Sequence, residues 1–182
     1  MHSIRRLQAI LDTLADPDHY LFAVSDLASA LPDLTYKALK ALLSRAAKQG
    51  IIRRVCRGVY IYPRIAYTPG LELYHAAARL RAHHFNYLSL ETVLSETGVI
   101  SQVPLNWITV MSSGRSHHVS CGSFGTIEFV HTKKRPNDVA GDLTFDERRR
   151  LWRASVRLAL RDMRATGRSL DLIDWSIVDE LV

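Results

Sequence analysis

Seven cations stand between Thr35 and Pro63: Lys37, Lys40, Arg45, Lys48, Arg53, Arg54 and Arg57, with no Asp or Glu among them. Lysine and arginine gathered without carboxylates are the chemistry of phosphate recognition. The 182-residue chain carries 24 basic and 18 acidic residues; without these seven it holds 17 against 18, so its net charge of +6 arises from this one stretch. Other reactive side chains are less well arranged. His83-His84 and His117-His118 are adjacent pairs. Neighbours diverge by about 100° on a helix and face opposite sides of a strand, so neither pair alone chelates a metal. Cys121 lies near the second pair, but no CxxC or HxxxH spacing completes a metal site. Ser120-Cys121-Gly122-Ser123 is a turn sequence in which a nucleophilic thiol has only a nearby histidine, without a positioned base or oxyanion site; a small enzyme on residues 84–135 would have His117, His118 and Cys121 as its candidates. There is no Walker A loop and no GxGxxG. The expectation is a protein that is not an enzyme and holds no metal or cofactor.

The elements that must position the seven cations are readable from spacing. A first helix is expected from Ser3, as its cap, to about Ala15, with Ile4, Leu7, Ile10, Leu11 and Leu14 inward. A short strand over Tyr20–Val24 follows, then a helix capped by Ser25 and broken by Pro32. Thr35 is the expected N-cap of a third helix, with Leu34 and Leu39 as its hydrophobic staple and Gly50 as its stop. At 100° per residue, Lys37, Lys40, Ala41, Ser44 and Lys48 share one face, with Arg45 on the flank. Leu39, Leu42, Leu43, Ala46 and Ala47 share the other. A hairpin of Ile51–Val55 and Val59–Tyr62 turns at Arg57-Gly58, and Pro63 closes it.

Helices and a short basic hairpin of one charge sign are what a winged helix-turn-helix presents to DNA. In that arrangement Tyr36, Lys37, Lys40, Ala41 and Ser44 reach base edges, and Arg45 and Lys48 meet phosphates. Arg53, Arg54 and Arg57 meet phosphates or the minor groove, while Thr35 and Gly58 shape the two tips.

The remainder reads as a linker over 64–70 and a C-terminal α/β domain over 71–182 with a small, mostly antiparallel sheet. Helices are expected over Leu71–His84 and Leu88–Thr97, the latter capped by Ser89. Strands are expected over Asn106–Met111, His117–Cys121 and Phe124–His131, and a loop over Lys133–Asp142. The Thr144-to-Glu147 capping box predicts a long helix to about Thr166, and a last helix spans Ser169–Leu181. Arg150, Arg153, Arg157, Arg161 and Arg164 would then form one stripe, either a solvated face or a surface for an acidic protein or nucleic acid. Trp107, Trp152 and Trp175 are expected in the core.

Composition agrees with a globular protein: 47% hydrophobic, 23% charged, with a sequence pI near 9.6. No apolar run is long enough to span a bilayer, and the N-terminus lacks the apolar region of a signal peptide. Two distant cysteines, Cys56 and Cys121, fit free thiols in a reducing cytoplasm.

Residues 22–63 also carry a resemblance. Leu43-Ser44-Arg45, Lys48-Gln49-Gly50, Ile52, Arg53, Arg57-Gly58, Tyr60 and Pro63 resemble the N-terminal winged helix of the AbiEi-type antitoxins. Tyr87-Leu88-Ser89-Leu90-Glu91-Thr92 resembles the start of that family's second domain, so the likeness covers about residues 1–130. The arginine-rich segment beyond it matches no motif of the family. The resemblance implies one partner of a two-gene toxin–antitoxin, or abortive-infection, system. Such an antitoxin represses its own promoter, at inverted repeats, as a monomer or homodimer. Its second domain opposes a nucleotidyltransferase-like toxin, in many systems without a stable complex. The fold expected is α+β, and the other reading is a stand-alone winged-helix regulator whose second domain senses a ligand or dimerises.

Overall fold

The computed structural model describes residues 2–101 and 106–182. It shows a mixed protein of helices and two sheets, compatible with an α+β organisation, that divides into two compact units, Met1–Glu72 and Leu73–Val182.

The first unit runs α1 (His2–Leu14), β1 (Leu21–Ala23), α2 (Val24–Ala30), α3 (Tyr36–Lys48), β2 (Arg53–Cys56) and β3 (Val59–Ile61). Its sheet has the order β1-β3-β2, antiparallel throughout, with Leu21 opposite Ile61 and Arg54 opposite Tyr60. Leu7 and Leu11 of α1, Leu27 of α2 and Leu39, Leu42 and Leu43 of α3 bury completely around Phe22, Ile52 and Tyr62. Each such side chain removed from water stabilises by about 1.5–3 kcal/mol. Two expected caps are not used. Ser3 lies inside α1, and α2 starts one residue before Ser25, with the Asp26 carboxylate accepting from the Ala23 N–H at 2.8 Å. The segment 64–70, expected as a linker, lies in the first unit, where Tyr67 stacks on Tyr20 with ring centroids 4.1 Å apart.

The second unit continues α4 (Glu72–Leu80), β4 (Asn86–Leu88), α5 (Leu90–Glu96), β5 (Trp107–Ser112), β6 (His117–Ser120), β7 (Thr126–His131), α6 (Pro136–Val139), β8 (Leu143–Asp146), β9 (Leu151–Ala154), α7 (Val156–Ala165) and α8 (Trp175–Leu181). Its sheet has six strands in the order β6-β7-β5-β4-β9-β8. The β5–β7 and β4–β9 pairs are parallel and the other three antiparallel, so the sheet is larger and more mixed than expected. Helices α5 and α7 pack on each other, α5 against β5 and α7 against β9.

The long helix expected over 145–166 does not form. Asp146 turns the chain instead: its side chain accepts from the Arg149 N–H at 3.0 Å and its carbonyl from the Arg150 N–H at 2.7 Å. Arg150 sits at φ 58°, which a helix forbids, and β8 and β9 pair as a hairpin with Phe145 opposite Trp152. The helix begins only after Ser155, whose hydroxyl accepts from the Leu158 N–H at 3.1 Å. The loop expected over 133–142 contains α6 and a single 3-10 turn, and the last helix is limited to Trp175–Leu181. Ser89 does not cap α5. The Thr109 hydroxyl on β5 does, accepting from the Thr92 N–H at 3.2 Å, and the Ser89 hydroxyl donates to Asp162 on α7 at 2.7 Å. Tertiary neighbours have taken over a local capping role.

Asp142 fastens the start of α7. It accepts from Arg157 at 2.8 Å and Ser155 at 3.0 Å, and Arg161 lies 3.5 Å away. The Arg157 hydrogen bond holds its carboxyl below the usual range. Burial works to raise the Glu128 carboxyl, but hydrogen bonds from Arg168, His118 and Trp107 hold it below its ordinary value. A carboxyl depressed on folding stabilises fully above the unfolded value, near pH 4, and loses that contribution as pH falls through the folded value. Urea midpoints measured from pH 6 downward should therefore fall below about pH 4, and Asp142→Asn should flatten that acid limb. An acid limb unchanged in Asp142→Asn would show that the ion pairs contribute nothing.

Candidate nucleic-acid interface

Helix α3 divides as its sequence requires. Thr35 Oγ1 accepts from the Ala38 N–H at 3.2 Å, which satisfies one of the helix's first free donors. Leu39, Leu42, Leu43 and Ala46 are buried, Ala47 half-buried. Tyr36, Lys37, Lys40, Ala41, Ser44, Arg45 and Lys48 are exposed. Gln49 ends the helix and Gly50 follows at φ 71°, the left-handed stop. Thirteen residues give α3 a length of about 20 Å. Tyr36 is 61% exposed at its first turn, and the Lys40 ammonium stands 4.3 Å over its ring. That contact aligns both side chains on one outward face. Thr35→Ala should cost about 1 kcal/mol of stability by freeing the first-turn donors, read as a lowered urea midpoint. An unchanged midpoint would show that solvent caps the helix equally well.

The hairpin is tight. Cys56 pairs with Val59, so Arg57-Gly58 alone makes the turn, with Gly58 at φ 86°. The register slips between Arg54 and Cys56, which places an extra residue on β2 and adds twist. Arg53, Arg54 and Arg57 are exposed, on an edge strand and its tip. Arg54 Nε donates to the Cys56 carbonyl at 3.2 Å, which partly fixes that guanidinium. Charge on an edge strand also discourages strand-to-strand aggregation, so Arg53 and Arg54 have that second use.

Most of this face's cations are unpaired among the described residues. Lys37, Lys40, Arg45, Lys48 and Arg57 make no ion pair among the described residues. The first unit's carboxylates are engaged elsewhere: Asp33 with Arg6 at 2.6 Å, Asp12 with Tyr62 and Arg64, and Asp26 at its cap. Several of the second unit's arginines are neutralised. Arg149 and Arg153 pair with Glu96, Arg157 and Arg161 with Asp142, and Arg168 with Glu91 and Glu128.

The arginine stripe expected on one helix is therefore not there. Arg150 is in the β8–β9 turn and Arg153 on β9, while Arg157, Arg161 and Arg164 are on α7. Arg164 stacks over Trp175 at 5.8 Å. Trp152 and Trp175 are 45% and 44% exposed rather than in the core, and Trp107 is half-buried with its Nε1 donating to Glu128 at 3.2 Å. Trp152, expected on the buried face of a helix, and Phe145 are exposed because Asp146 opens a turn of charged residues there and the chain continues as a strand.

His118 lies 3.3 Å from Glu128, and Cys121 is buried with its thiol 3.8 Å from the Val119 carbonyl. Among the described residues no three His, Cys, Asp or Glu side chains come together as a metal site, and no helix is long and apolar enough to cross a membrane. Compared with known proteins, the chain matches no family model and no curated protein.

Proposed function

We propose that this protein is a sequence-specific DNA-binding repressor, the antitoxin of a bacterial toxin–antitoxin pair, working in the cytoplasm. One observation carries the DNA half: five exposed cations on α3 and the β2–β3 tip make no ion pair among the described residues and lie on one helix face and one hairpin tip. The element order α1-β1-α2-α3-β2-β3, with β1 closing the hairpin sheet, supports reading the first unit as a winged helix-turn-helix. On that reading α3 enters the major groove. Tyr36, Lys37, Lys40, Ala41 and Ser44 face base edges, and Arg45, Lys48, Arg53, Arg54 and Arg57 neutralise phosphates. Repression needs no chemistry, because occupying a promoter excludes polymerase. The antitoxin half rests on the resemblance of residues 43–63 and 87–92 to the AbiEi-type antitoxins. It assigns to the second unit the task of opposing a nucleotidyltransferase-like toxin.

The test is a salt titration of binding to the duplex just upstream of the protein's own gene, against a scrambled duplex. About five phosphate contacts predict a log–log slope near −4.5. A preference of about a thousandfold or more for the native duplex is the expected result. Equal, weak binding to both would overturn specific repression. A neighbouring gene that is toxic alone and harmless with this one is expected; its absence would leave a stand-alone regulator.

A further inference from the structure

One end of the second unit's sheet gathers cations that the duplex-binding reading does not use. Segments 73–90, 106–127 and 129–137 contain no Asp or Glu, yet hold Arg81, His83, His84, Arg115, His131 and Lys133. None of these six makes an ion pair among the described residues. Hydrogen bonds bring the three segments together. Arg81 Nη2 donates to the Arg115 carbonyl at 2.7 Å, His131 Nδ1 lies 3.0 Å from the Gly114 carbonyl, and the Ser113 N–H donates to the Phe85 carbonyl at 2.9 Å. Asn86 Nδ2 holds the turn by donating to the His84 and Arg81 carbonyls at 2.7 and 3.0 Å.

Arg81 is seated rather than loose. Its guanidinium lies 4.5 Å over the Phe129 ring, in space that a Cβ at position 114 would share, 2.0 Å from its Nη1. Burial draws it below the ordinary arginine value. A cation held partly out of water against the Arg115 backbone, with no ion pair among the described residues, is a site that an anion would complete.

Aromatic surface adjoins this cluster. His84, which a Cβ on Gly114 would approach to 3.4 Å, also lines a cleft of about 260 Å³ with Phe85, Phe145 and Trp152. That is roughly nine water volumes, room for a flat heterocycle. Phe145 and Trp152 meet edge-on at 5.3 Å across the β8–β9 pair and remain 46% and 45% exposed. Cations for a backbone beside exposed rings for bases is the pattern of single-strand recognition. An acidic protein would instead favour apolar anchors at the centre with charge at the rim.

We propose that the second unit binds single-stranded nucleic acid, stacking an unpaired base on Phe145 and Trp152 and seating phosphates on Arg81, Arg115 and Lys133. This does not rest on the duplex-binding reading. The probe is a short oligothymidylate titrated into the full chain, followed by tryptophan fluorescence and by anisotropy of a labelled oligomer. Quenching with micromolar-range, salt-dependent binding is expected. Trp152→Ala should weaken binding about five- to 150-fold, the usual range for a lost base–aromatic stack. Trp152→Phe should keep affinity and lose the quench. Arg115→Glu with Lys133→Glu, both exposed, should weaken binding and flatten its salt slope by about 1.4 for two single-strand contacts. All variants should keep the parent's circular-dichroism spectrum and a cooperative urea transition, which report that the second unit folds. Oligothymidylate affinity that ignores these variants, or that disappears in Lys40→Ala with Arg57→Ala instead, would overturn the site. So would equal competition by polyglutamate, which would point to an acidic protein.

Discussion

Alanine at both Lys40 and Arg57 is expected to weaken binding of the upstream duplex by about a hundred- to a thousandfold, with the fold intact. A base-edge contact from the middle of a recognition helix is worth about 1–3 kcal/mol. The loss of one phosphate contact lowers the salt slope by about 0.9 and uniformly weakens binding. Lys40 is exposed over the Tyr36 ring and Arg57 stands at an exposed turn, so neither supports the core. Stability should stay within about 0.5 kcal/mol of the parent. Arg157→Ala is the matched control, since its charge is already paired with Asp142. Upstream-duplex binding that survives the double substitution, or that falls equally in Arg157→Ala, would remove α3 and the hairpin from the interface.

The second large effect is on stability and lies in the second unit. Asp162 of α7 is fully buried and accepts from Lys134 Nζ at 2.6 Å, Ser89 at 2.7 Å and Tyr87 at 3.4 Å. Burial, with the Asp162 charge beside it, pushes the Tyr87 hydroxyl well above its ordinary value, so it stays a donor at neutral pH. Lys134→Ala leaves a carboxylate in the core without its cation and should cost about 3–5 kcal/mol, the range for breaking a buried pair from one side. Lys134 itself is 23% exposed, so in Asp162→Leu its ammonium swings into water and the loss should be smaller. The double change Lys134→Met with Asp162→Leu removes both charges and should recover most of what Lys134→Ala loses. Urea unfolding of the three variants gives the comparison. Equal stability of Lys134→Ala and the parent would mean that the pair is solvated.

The cost is consistent with how this unit is joined. Asp162 ties the last long helix to the residues before α5 and after β7, all far apart in sequence. A buried network of this kind selects one packing among several that apolar contacts alone would accept.

Local rules were enough wherever the partner of a side chain lay within one turn or hairpin. Thr35, Leu34, Leu39 and Gly50 delimit α3 through contacts three to five residues apart, and Gly58 sets the hairpin through its own backbone freedom. The division of α3 into a leucine face and a lysine face follows from helical geometry, so the exposed cations were legible without coordinates. Tertiary structure decided the rest. Residues 145–154 have helical composition and a capping box, yet pair as β8 and β9 because β4 offers a parallel edge to β9. Ser89 has the type of a cap, but Asp162, 73 residues away, takes its hydroxyl and Thr109 supplies the cap instead. Whether an arginine is free or spent is also a tertiary matter. Asp142 and Glu96 neutralise arginines that no helical wheel would place beside them, because a carboxylate's field is local and only folding brings the two charges within 3 Å.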